Sequence, residues 1–298
     1  MERDIKRHYS RIRFVLVLVL FLNWGVAAAK IVVGIMSECQ SMIADGFHSL
    51  SDGASNVIGL VGIAISSKPV DRDHPYGHAK YETFFSLGIA ALLFFLAMNL
   101  IRISFAKLAS PVIPQTSAIS FIVMIATMAI NIGVVRYEYS KGRKLGSDIL
   151  IADALHTKAD ILTSLSVIIA LLFIRLGFPI ADPIATFVIS IFIGYAGFDI
   201  VKEASRVLCD TTVLDVNKIS NVVLKVDGVK ACHKIRTRGR PDDICVDLHV
   251  QVDPAMNMEE GHRICFAIEG AIKEKFKGIS DVLVHIEPKK RSRKFLRK

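Results

Sequence analysis

None of the five cysteines (Cys39, Cys209, Cys232, Cys245, Cys265) stands in a CxxC pair or at zinc-ribbon spacing. The chain therefore shows no sign of a disulfide framework or a thiolate zinc knuckle, and the odd count fits a reducing compartment for its C-terminal part. It also lacks an H-E-x-x-H phrase, the usual signature of a helical metalloprotease, which argues against a membrane-embedded hydrolase. No basic stripe interleaves with aromatics, although the formal net charge is +9. The Lys and Arg residues gather at the ends and in certain loops, which argues against nucleic acid as a partner. In place of these features the sequence has apolar length. Hydrophobic residues make up 52% of the 298, and they are collected into long runs with few charges, the mark of a chain that lives in a lipid bilayer.

A spanning helix needs about 20 mostly apolar residues. Runs of that kind lie near Phe14–Met36, Met42–Ser66, Phe84–Ala106, Ala118–Tyr137, Ile149–Leu176 and Ile180–Val207. The first follows Arg3, Lys6, Arg7, Arg11 and Arg13 as a signal peptide would, but it is too long for an ordinary apolar signal core and more runs follow. It is expected to stay attached as a first transmembrane helix. Basic residues are dense before the first run, after the second (Lys68, Arg72, Lys80) and after the fourth (Arg136, Lys141, Arg143, Lys144). The positive-inside rule then puts both termini in the cytoplasm.

Two of the runs contain nearly the same phrase. The second reads Ala44-Asp45-Gly46-Phe47-His48-Ser49-Leu50-Ser51-Asp52, and the fifth reads Ala152-Asp153-Ala154-Leu155-His156-Thr157-Lys158-Ala159-Asp160. At about 100° per residue, the Asp, His and Asp of each phrase fall within about 60° of one another on one helical face. Charged groups at the bilayer centre cost about 2.5–3.5 kcal/mol each on insertion scales, so a chain that places several there is expected to bind or move something. Helix-to-helix hydrogen bonding is the plainer alternative, but the doubling favours a metal site. Two neutral imidazoles from His48 and His156, with carboxylates from Asp52 and Asp160, suit tetrahedral Zn²⁺ and cancel its charge. Asp45 and Asp153 are expected either to line approaches to this site or to serve in helix packing.

After the second run comes Asp71-Arg72-Asp73-His74-Pro75-Tyr76-Gly77-His78. Asp71, His74 and His78 have ligand-like spacing in a tight loop, and solvated loop histidines are the alternative reading. From about Thr211 the pattern changes to that of a small soluble domain: a helix over 213–226, strands over 229–237 and 244–252, a helix over 258–276 and a strand over 281–287. Residues Ile244, Val246, Leu248 and Val250 alternate with Asp247, His249 and Gln251, as on a half-buried strand. His233, His249, His262 and His285 make this region dense in histidine, and Glu287 shares a strand face with His285. They read equally well as scattered surface groups or as metal ligands.

The six spans, the paired phrases and the domain that follows resemble the cation diffusion facilitator family of proton-coupled divalent-metal transporters. The resemblance implies a membrane all-α six-helix bundle over 1–210, then a small α+β cytoplasmic domain (αββαβ, metallochaperone-like) over 211–288 and a basic tail over 289–298. It implies a homodimer, transport at His48, Asp52, His156 and Asp160, and exchange of metal for H⁺. By the same resemblance Asp71, His74 and His78 match a second metal site. His233, His249, His262, His285 and Glu287 match a cytoplasmic metal site (several members have Asp where this chain has Glu287), and Lys80 and Asp210 match an interface salt bridge. The expectation is an exporter of Zn²⁺ in a bacterial plasma membrane. A transporter mainly of Fe²⁺, Mn²⁺ or Cd²⁺, or a metal sensor without transport, stands as the alternative.

Overall fold

The computed structural model describes residues 2–36, 40–109, 118–175 and 180–289, and divides into two units, 1–205 and 206–298. The first unit is built from six long helices: α1 (Glu2–Met36), α2 (Gln40–Ser66), α3 (Lys80–Ala109), α4 (Ala118–Leu145), α5 (Asp148–Arg175) and α6 (Ala181–Leu208). They run 27 to 35 residues each, and at about 1.5 Å per residue each exceeds the roughly 30 Å of a hydrocarbon layer. Among the described residues, Arg7–Val33 and Lys80–Ala106 are long and apolar enough on their own to cross a membrane. The helices begin and end within a few residues of the apolar runs, except that α1 and α4 continue through charged flanks to Glu2 and Leu145. Those flanks are rich in Arg and Lys, good helix formers that can solvate their heads at an interface.

This unit is apolar on the outside and partly polar within. Phe14, Phe21, Phe95, Phe105, Phe192 and Tyr195 are all exposed, while Asn56, Glu82, Thr83, Glu138, Asp153 and His156 are buried. In water such a surface would aggregate; in lipid it is the expected arrangement. The apolar part of the interior joins Ile12, Leu16 and Val19 of α1 to Ile63 of α2, Leu93 of α3, Ile149 of α5 and Ile193 of α6. Glycine lets α2 enter this packing closely. A Cβ at Gly62 would come within 2.7 Å of both Ile149 Cδ1 and Phe85 Cβ, so the small residue sets how near α2 lies to α3 and α5. The first turn of α5 is pinned to α3 as well, through Thr83 Oγ1 donating to Asp148 Oδ2 at 2.5 Å and Ser147 Oγ donating to Glu82. The close approach at Gly62 brings α2 to α5, the two helices that carry the repeated phrase, and α3 braces α5 beside them.

The second unit has the expected αββαβ order: α7 (Val216–Val223), β1 (Ala231–Arg240), β2 (Asp243–Val252), α8 (Met258–Lys275) and β3 (Ile279–Pro288). Strand β2 lies centrally, antiparallel to β1 and parallel to β3. A parallel partner needs a crossover, which α8 supplies. Helix α7 is shorter than the expected 213–226 because its neighbours are claimed by other bonds. Asp215 caps it by accepting from Asn217 N–H at 2.9 Å, and Thr237 Oγ1 accepts from Val213 and Leu214 N–H.

Ile219 and Val223 of α7 and Ile264, Ile268 and Ile272 of α8 cover Val246, Leu248 and Val250 of β2. Ile268 is completely buried. Ile268→Ala is expected to destabilise this unit by about 2–5 kcal/mol through lost transfer energy and a cavity. Hydrogen exchange of β2 in the full chain reads the loss as faster opening.

Candidate metal centres

The repeated phrase lies on α2 and α5 as expected. On α5, His156 is buried and Asp160 half-buried one turn further on. The side chains of Asp45, His48 and Asp52 on α2 lie outside the described residues, so the four-ligand grouping is not on view as a whole. Their immediate surroundings are. Lys30 of α1 is buried and donates through Nζ to Ser49 Oγ at 2.9 Å, one residue beyond His48. A Cβ at Gly53 would press on Trp24 Nε1 at 2.8 Å, so α1 and α2 are close beside the phrase. Asp153 is fully buried and accepts from Asn56 Nδ2 of α2. Asn56 lies one turn beyond Asp52. Its presence in an apolar run was the available signal for this contact, and sequence reasoning missed it.

The loop between α2 and α3 brings Asp71, His74 and His78 together, one ligand atom from each lying within 4.8 Å of the others. Asp71 folds the loop around itself: its Oδ1 accepts from the N–H groups of Asp73 at 3.0 Å and His74 at 2.7 Å, the usual work of an Asx turn. The His74 N–H bond is the largest influence holding the Asp71 carboxyl below its usual range; burial opposes it, and the two imidazoles add to the lowering. Gly77 takes a positive φ of 83°, which glycine adopts without Cβ strain. His78 Nδ1 lies 3.1 Å from the Pro69 carbonyl. A carbonyl accepts and cannot donate, so Nδ1 carries the hydrogen and leaves Nε2 as a lone-pair donor. That Nε2 lies 3.4 Å from Asp71 Oδ2, and His74 Nδ1 lies 3.2 Å from Asp71 Oδ1. Tyr81, which the sequence did not single out, closes the group with its hydroxyl 3.2 Å from His74 Nε2.

A second cluster forms on the open face of the three-stranded sheet. The strand register pairs His233 with His249 and His249 with His285, so three imidazoles lie in a row across β1, β2 and β3. Glu287 bridges them: Oε1 is 2.7 Å from His249 Nδ1 and 3.9 Å from His285 Nε2, and Oε2 is 3.3 Å from His233 Nε2. The His249 bond is the largest influence holding the Glu287 carboxyl below its usual range. His233, His249 and Glu287 satisfy the geometry of a metal-holding group, with imidazole and carboxylate donors of the kind Zn²⁺ and its neighbours accept. His262 stands apart within the chain, exposed on α8 with its ring 4.7 Å from that of Phe266. Lys80 begins α3 in the first unit, whereas Asp210, with φ of 54°, belongs to the second.

A multi-helical, lipid-facing unit followed by a small helix-and-sheet domain with clustered imidazole and carboxylate groups defines a metal-handling membrane protein. Comparison with known proteins agrees. The family model for the cation efflux transmembrane domain matches residues 16–209, and that for the cation efflux protein cytoplasmic domain matches 213–289. The chain is 32% identical over 274 residues to an uncharacterised transporter of Methanocaldococcus jannaschii, covering 91% of this chain and 96% of that one. It is 29% identical over 288 residues to the manganese efflux system protein MneP of Bacillus subtilis, covering 93% and 96%. It is 28% identical over 261 residues to the cation-efflux pump FieF of Serratia proteamaculans, covering 87% of each. The chain belongs to the cation diffusion facilitator family. It is an integral membrane protein and a secondary transporter of divalent transition metal, not an enzyme.

Proposed function

We propose that this transporter exports Zn²⁺ from the cytoplasm in exchange for H⁺, through His48 and Asp52 of α2 and His156 and Asp160 of α5. The observation that carries this reading is the doubled phrase, which sets an i,i+4 His/Asp pair on each of two antiparallel spans. The two imidazoles favour Zn²⁺ over harder ions, and the two carboxylates make the loaded site nearly neutral. Coupling to H⁺ follows from ligation itself, because a metal takes neutral imidazole and ionised carboxylate and so displaces protons. The protein works as a homodimer in a bacterial plasma membrane, with six spans and both termini cytoplasmic. The Asp71, His74 and His78 loop and the His233, His249, His285 and Glu287 face bind further metal, with His262 contributing from α8. Metal on the sheet face tightens the dimer and reports the cytoplasmic concentration.

A second reading is Mn²⁺ export. It is favoured by two Bacillus subtilis relatives named as manganese efflux proteins, each 29% identical to this chain. The ligand chemistry separates the two readings, since Mn²⁺ prefers oxygen and binds imidazole less tightly than Zn²⁺ does. In reconstituted vesicles, Zn²⁺ is expected to suppress Mn²⁺ uptake when Mn²⁺ is in about tenfold excess. Mn²⁺ uptake undisturbed by Zn²⁺ would shift the assignment to manganese. A sensor without transport predicts no flux of either ion.

A further inference from the structure

Four helices of the membrane unit meet in a row of polar side chains that the metal-ligating pairs do not explain. Asn23 of α1 donates through Nδ2 to Asn56 Oδ1 of α2 at 3.1 Å. Asn56 Nδ2 donates onward to Asp153 Oδ2 of α5, and Ser55 bonds the same carboxylate. Glu138 of α4 completes the row, its carboxyl within hydrogen-bonding reach of Asp153. Asn56, Glu138 and Asp153 are each 0% exposed.

The donors run out at this point. Glu138 Oε1, Glu138 Oε2 and Asp153 Oδ1 are buried, and among the described residues no side-chain or backbone donor reaches them. Two ionised carboxylates within hydrogen-bonding reach of each other would repel strongly in so dry a setting, in addition to the cost of drying both. A divalent cation would cancel the charge, but it wants four or more ligand atoms, and Ser55 and Asn56 turn donor hydrogens towards Asp153. One proton satisfies both the charge and the hydrogen-bond count. The donors already aimed at Asp153 make it the ionised partner, which leaves Glu138 as the acid.

We propose that Glu138 is a proton-binding residue, a neutral carboxylic acid that donates to Asp153 and stores a proton apart from the metal ligands. Among the described residues, the groups that face this pair are Ser55 and Asn56 of α2, both uncharged, Asn23 of α1 behind Asn56, and His156 of α5, which acts electrostatically on Asp153. Asp153 precedes His156 by three residues, so the charge left on the pair is felt at the transport helix. Use of this proton in the exchange cycle rests on the transport reading above, whereas its presence does not.

Infrared difference spectra of the full, detergent-purified, metal-free chain at pH 7 test the assignment. Subtracting the E138Q spectrum from that of the unmodified chain is expected to leave the C=O stretch of one protonated carboxylic acid per chain. E138M, which removes the carboxyl and adds no donor, is expected to give the same difference and serves where glutamine perturbs folding. A difference containing only carboxylate bands overturns the proposal. So does one extra equivalent of tightly bound Zn²⁺ or Mn²⁺ that disappears in E138Q, since the pair would then hold a metal. A chain with the acid band but no metal flux would sink the transport reading and leave Glu138 as assigned.

Discussion

Asp160→Ala is expected to end metal flux in reconstituted vesicles while leaving the chain folded. Asp160 is half-buried at the end of the α5 phrase, one turn beyond the buried His156, and its helix is held independently by Thr83, Asp148, Glu82 and Ser147. On the transport reading, substitution takes away a proposed ligand while these contacts still hold the helix in place. Loss of a supporting residue around a metal typically costs 10- to 100-fold, so loss of a ligand should cost at least about 100-fold. The electrostatic argument points the same way. Two imidazoles and one carboxylate around a divalent ion leave a net positive charge, which a low-dielectric site holds poorly. Asp160→Asn retains the side-chain volume and is expected to fail as well, which separates lost charge from lost packing. Flux at the unmodified rate in both variants, read with radioactive Zn²⁺, would remove Asp160 from the transport site.

The second large effect concerns pH and the sheet-face cluster. Metal there is expected to bind markedly more weakly at pH 5.5 than at pH 7.5. Two imidazoles, His233 and His249, belong to the group that satisfies metal geometry. Ligation takes neutral imidazole, so protons compete with the metal for each ring, and the two competitions compound. Glu287 contributes nothing to this window. Its carboxyl is held below its usual range, chiefly by the His249 bond, and stays ionised throughout. The sign of its own linkage follows from that direction. A lowered carboxylate stabilises the folded state above its unfolded value near pH 4.3. That contribution disappears only as pH falls further, through the folded value. Calorimetric titration of the full chain at the two pH values measures the effect. Equal affinities would mean that the imidazoles are not ligands.

The sequence declared most of the architecture because the relevant signals were local. Apolar runs separated by basic loops marked the helices, and alternation from Ile244 to Val250 marked β2 and its buried face. The shortfall at α7 came from a tertiary contact, Thr237 capturing the N–H groups of Val213 and Leu214, which no window of sequence contains. The metal clusters were legible to different degrees. Asp71, His74 and His78 are close in sequence, and a loop turned by Gly77 brings them together. The His233, His249 and His285 row depends on strand register, and His262 could not be separated from it by spacing. The row from Asn23 through Asn56 and Asp153 to Glu138 was invisible to a search for repeated motifs, because its members come from four helices and share no spacing. Only packing shows that Glu138, at the edge of an apolar run, turns inward.

Proton-driven metal transport is open to a direct flux test. The unmodified chain is reconstituted into sealed vesicles, Zn²⁺ is supplied on one side, and an H⁺ gradient is imposed and then collapsed with a protonophore. Zn²⁺ is expected to move against the direction of H⁺ flow, faster as the gradient rises and slower when it is dissipated. No Zn²⁺ movement, or movement indifferent to the gradient, would contradict proton-driven transport.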